Sequence, residues 1–92
     1  MYGKATMAIE EQVKEFGQLT HIRLEPYGPN QVTGKVVVED HRPGCKDEDG
    51  NCQFITWTVF AGYNAEQFMA YTSWGHYHLT IAEAMEQYNI PT

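Results

Sequence analysis

The chain reads as an α+β fold, a three-stranded antiparallel meander with helices packed on one face, in the order α-β-β-β-α-α. Three observations predict it. Central segments carry apolar residues at alternate positions, with turn formers between them. Flanking segments carry apolar residues three and four apart, between residues that start and stop helices. The links between successive strands are short, which favours antiparallel neighbours over crossovers.

Residues 6–16 place Ile9, Val13 and Phe16 at helical spacing, opposite Glu10, Glu11, Lys14 and Glu15. Thr6 is the expected N-cap and Gly17 the left-handed stop. Residues 19–25 alternate, with Ile22 and Leu24 inward and His21, Arg23 and Glu25 outward. Pro26, Gly28, Pro29 and Asn30 mark a turn before a valine-rich second strand at 32–40. The polar stretch 42–51, with Gly44 and Gly50, reads as a hairpin connection. Residues 52–61 form the strongest strand, with Ile55, Trp57 and Val59 on one face and Phe54, Thr56, Thr58 and Phe60 on the other.

Asn64 and Gln67 then resemble a capping box, which predicts a helix through Phe68, Met69, Tyr71, Thr72 and Trp74 that ends at Gly75. A second box, Thr80 with Glu83, opens a last helix whose buried stripe is Ile81, Ala84, Met85 and Tyr88. Asn89 is the expected left-handed C′ residue, and Pro91 forbids continuation.

At 92 residues the chain is the size of one domain, 1–92, within which residues 1–6 read as a flexible leader and Met7 as an alternative start. Twelve carboxylates against six Lys and Arg leave a net charge of −6, and the six cations are scattered. Nucleic-acid affinity comes largely from neutralised phosphates, so this balance argues against DNA, RNA and anionic membranes. A basic protein surface would instead be attracted. No apolar run approaches the roughly 20 residues of a membrane span, and the cytoplasm is the expected location.

Three constellations are candidates for chemistry. His41, Cys45 and Cys52, spaced H-x3-C-x6-C, are residue types that ligate zinc, with His21, His76 or His78 needed to complete the shell. The set lacks the tight C-x2-C knuckle of specific zinc motifs. Asp47, Asp49 and Asn51 alternate around Gly50, but the glycine falls at the wrong position for a calcium loop, and Asp-Gly-Asn is ordinary turn chemistry. His78-Leu79-Thr80-Ile81 resembles one half of the H-x-T motif of 2H phosphoesterases; His21-Ile22-Arg23-Leu24 would be the other half, with Arg23 in the hydroxyl position. No nucleophile elbow or phosphate loop accompanies it.

The predicted order is also similar to that of double-stranded-RNA-binding domains, whose basic last helix is replaced here by Glu83 and Glu86. It is similar, without any shared residue motif, to some small acidic phage inhibitors of CRISPR nucleases.

What remains is a surface. The strand parity leaves His21, Arg23, Phe54, Thr56, Thr58 and Phe60 on an open sheet face, and two phenylalanines there make an apolar patch. The expectation is a non-enzymatic accessory or binding protein of phage or mobile-element type. It would meet a protein partner, or itself as a homodimer, through that face. Two alternatives are a zinc domain built on the cysteine loop, and a small-molecule pocket lined by Trp57, Phe68, Tyr71 and Trp74.

Overall fold

The computed structural model describes residues 3–64 and 66–90. The elements are α1 (Gly3–Val13), β1 (Gly17–Gly28), β2 (Gln31–Asp40), β3 (Phe54–Asn64), β4 (Gln67–Leu79) and α2 (Ile81–Tyr88). The class is α+β as expected, but the sheet has four antiparallel strands in the order β1-β2-β3-β4.

Strand length governs what the sheet exposes. β4 has 13 residues, which at about 3.3 Å each is roughly 40 Å of strand. The long axis of the molecule is 45 Å. The helices have 11 and 8 residues, or about 16 and 12 Å at 1.5 Å per residue. Neither helix can cover its face of the sheet from end to end.

α1 packs on one face. Ala5, Ile9 and Val13 recur every fourth residue and make one buried stripe. Against it lie Val36 and Val38 of β2, Ile55, Trp57 and Val59 of β3, and Ala70 of β4, with Ile22 and Leu24 partly buried beside them. Because Ala5 extends the stripe, the helix begins at Gly3. Thr6 therefore lies inside it and is not its cap. Gly17 is likewise not a helix stop but the first residue of β1, paired with Asp40.

α2 packs on the opposite face, so the helices do not share one side as predicted. Val37 and Ala84 are fully buried yet stand outside the α1 core. Tyr88 stacks on His21 with ring centroids 5.7 Å apart and lies under the Arg23 guanidinium at 5.4 Å. The expected capping box is present, with Glu83 N donating to Thr80 Oγ1 at 3.1 Å and Thr80 N to Glu83 Oε1 at 2.9 Å. Asn89 closes the helix in the right-handed region (φ −84°), not the left-handed one. Pro91 lies outside the described residues.

The largest correction is β4, where the sequence predicts a helix. Phe68, Ala70 and Thr72 alternate with Met69, Tyr71 and Ser73, and the segment pairs with β3 from Asn64↔Gln67 to Phe54↔Leu79. A three-stranded sheet would leave the edge of β3 unpaired, although Ile55 through Val59 are buried on both faces. Hydrogen bonding to that edge outweighs local helix signals. Among the described residues, no helix is long and apolar enough to cross a membrane.

Candidate functional site

The part of the second face that α2 does not reach holds a group of aromatic rings. Phe60 of β3 is its floor, flanked in register by Thr33 of β2 and Tyr71 of β4. Tyr27 forms one wall, 5.7 Å from Phe60 at an interplanar angle of 71°. Trp74 forms another, at 6.4 Å and 63°. Tyr71 borders the floor at 6.4 Å and 41°.

Both walls stand at breaks in the ladder. The β1–β2 register shifts between Pro26 and Gly28, leaving Tyr27 as the extra residue. The β3–β4 register shifts between Thr58 and Thr56, where Trp74 and Gly75 intervene. Bulges turn side chains out of the normal alternation and are enriched beside functional sites. Trp74 moreover has φ +49°, a left-handed conformation that is strained for a bulky residue. The indole is nonetheless 71% exposed, so burial does not explain the strain.

A cavity of about 460 Å³ opens between the rings and is also lined by Glu25, Thr33 and Thr58. A neighbouring cavity of about 370 Å³ runs past Tyr27, Phe60 and Tyr71 toward Gln31 and Tyr63. The cations seen to stack on rings do so elsewhere: Lys4 on Tyr63 and Phe68 at 4.8 and 4.9 Å, Arg42 on Phe16 at 4.8 Å, and Arg23 on Tyr88.

His21, Arg23, Phe54, Thr56, Thr58 and Phe60 do lie on the face away from α1, but most are already engaged. His21 and Arg23 contact Tyr88, and Arg23 also donates to the Ile90 carbonyl at 3.0 Å. Thr56 and Thr58 are buried, and Phe54 lines a cleft with Thr80 and Ile81 of α2. Phe60 alone of the six belongs to the ring group. The predicted pocket residues divide between faces: Trp57 and Phe68 pack with the α1 core, whereas Tyr71 and Trp74 stand with Phe60. The sequence reading missed Tyr27, assigned to a turn, and the joining of Tyr71 and Trp74 to Phe60, which depends on β4 being a strand.

The cysteine loop is also rearranged. Cys45 is buried and hydrogen-bonds the Asp40 carboxylate; that bond, then burial, pushes its thiol pKa up, so it is held as a thiol. Asp40 accepts from Arg42 Nε at 3.0 Å and Nη2 at 2.8 Å, and these bonds hold its pKa down at about 2. Asp47 Oδ1 accepts from the amides of Asp49 and Asn51, both at 2.9 Å, as turn chemistry predicts. His78 bonds Gln53 at 2.9 Å, and His76 faces Thr56 across the ladder. Among the described residues, the donors that do converge are Glu39, His41 and Cys52.

Comparison with protein-family models, curated proteins and solved structures finds no match to the chain.

Proposed function

We propose that the protein is a binding protein whose aromatic box receives a lysine or arginine side chain from a basic protein partner. One observation carries the reading: two bulged residues on different strands, Tyr27 and Trp74, set their rings around Phe60 and leave the space between them open. Ring faces attract cations by their quadrupoles, and rings inclined to one another around a floor suit an inserted ammonium or guanidinium group. Glu25 adds carboxylate character to the lining, and a net charge of −6 favours approach of a basic surface. The same charge opposes pairing of two copies.

The test is an NMR titration of the full chain with peptides carrying lysine, trimethyl-lysine or a neutral isostere at one position. Ring resonances of Tyr27, Phe60, Tyr71 and Trp74 should shift with the cationic peptides, at an affinity at least about tenfold above the isostere. Equal responses to charged and neutral peptides would reject the reading. So would a concentration-dependent dimer that shifts the same four rings, because a second copy would then occupy the box.

A further inference from the structure

A second constellation lies on the same sheet face as the aromatic box, at the opposite end. The β2–β3 ladder pairs Val38 with Ile55 and Glu39 with Phe54. It runs one step further, since Asp40 N donates to the Gln53 carbonyl at 2.8 Å. One residue further along each segment lie His41 and Cys52, and Cys52 is also bridged to Lys46. Side chains at i and i+2 of a strand share a face, so Glu39, His41 and Cys52 converge. Their donor atoms all lie within 4.8 Å of one another, and His41 Nε2 is 2.6 Å from Glu39 Oε1.

We propose that Glu39, His41 and Cys52 form a three-ligand site for zinc. Imidazole nitrogen, thiolate sulfur and carboxylate oxygen together suit this borderline-soft ion. Bond lengths of about 2.0–2.3 Å place neighbouring ligand atoms of a tetrahedral zinc roughly 3.3–3.8 Å apart. His41 and Glu39 now lie closer than that, and no pair is more than 4.8 Å apart, so small side-chain rotations are what the shell requires. Three protein ligands leave a fourth position. The cleft beside Glu39 and Cys52, also lined by Asp47, Asn51 and Thr80, can admit a water or an outside donor there. Lys46 Nζ, 3.3 Å from Cys52 Sγ, competes with the metal for that sulfur. Cys45 is excluded because Asp40 and Arg42 hold it on another network.

Cobalt(II) reports the site directly, because its thiolate charge-transfer absorption requires a sulfur ligand. One cobalt per chain should bind with that band and be displaced by zinc. Cys52→Ser should abolish the band and weaken zinc binding by more than the roughly 100-fold upper cost of losing an outer-shell partner. Cys45→Ser should keep both, and Lys46→Ala should tighten zinc binding. Circular dichroism of each variant checks that the fold persists, and His41→Asn offers a second loss-of-ligand variant should Cys52→Ser not fold. No cobalt band in the wild-type protein overturns the proposal. A band kept in Cys52→Ser, or lost in Cys45→Ser alone, also overturns it.

Discussion

Removing the Asp40 carboxylate should flatten the acid limb of the stability curve. The Asp40 side chain is fully buried, while the Arg42 guanidinium it holds is 37% exposed. Arg42 supplies its backbone amide at 3.0 Å as well as the two guanidinium bonds, and lies over the Phe16 ring. Those bonds lower the Asp40 pKa from 3.8 to about 2. A carboxylate whose folded pKa is depressed stabilises the fold above its unfolded pKa, and that contribution is lost as pH falls through the folded value. Here the contribution is complete above about pH 5, shrinks below 3.8, and is gone below about 2. The difference is worth about 2 kcal/mol.

Urea unfolding of wild type and Asp40→Asn should therefore be compared from about pH 6 to about pH 2. Near neutrality the variant should be about 2 kcal/mol less stable, short of the 3–5 of a fully buried pair because Arg42 can turn to water. Toward pH 2 the two proteins should converge, since the wild type loses what the variant never had. Other carboxylates titrate alike in both and cancel in the difference. A gap that stays constant across the range would refute the argument.

Three further changes probe the fold. Among the described residues the buried Thr56 hydroxyl has no hydrogen-bond partner, so Thr56→Val should raise stability by about 1 kcal/mol, read from the urea midpoint. Thr80→Ala removes the cap of α2 and should cost about 1 kcal/mol, with loss of helical dichroism. Ile9, 1% exposed at the centre of the α1 stripe, should cost about 3 kcal/mol when replaced by Ala, read by thermal unfolding.

Features set by near neighbours were legible in the sequence. The Thr80–Glu83 box is local chemistry, and Ile55, Trp57 and Val59 face α1 because period two leaves them no other side. β4 was not, because Phe68, Tyr71, Thr72 and Gly75 fit helical spacing as well as alternation, while Asn64 and Gln67 have cap-box spacing. The deciding interaction, pairing with β3, is distant in sequence. Phe60 could be found from strand parity, but Tyr27 and Trp74 reach it through bulges, which break the parity such reading depends on. His41 and Cys52 were visible as ligand types. Glu39 joins them only through the register of the hairpin, and Cys45 leaves them because Asp40 binds it.

The proposed role of the aromatic box is tested most directly by Trp74→Gly, measured at once for thermal stability and for response to the trimethyl-lysine peptide. Glycine suits the positive φ at this bulge, and the relief of strain, about 1–2 kcal/mol, offsets the lost ring contact with Phe60 and the added chain entropy. The variant should melt within a few degrees of wild type and show no remaining ring response to the cation. A variant that melts far below wild type would make Trp74 a structural residue, and one that binds the peptide as wild type does would contradict the box.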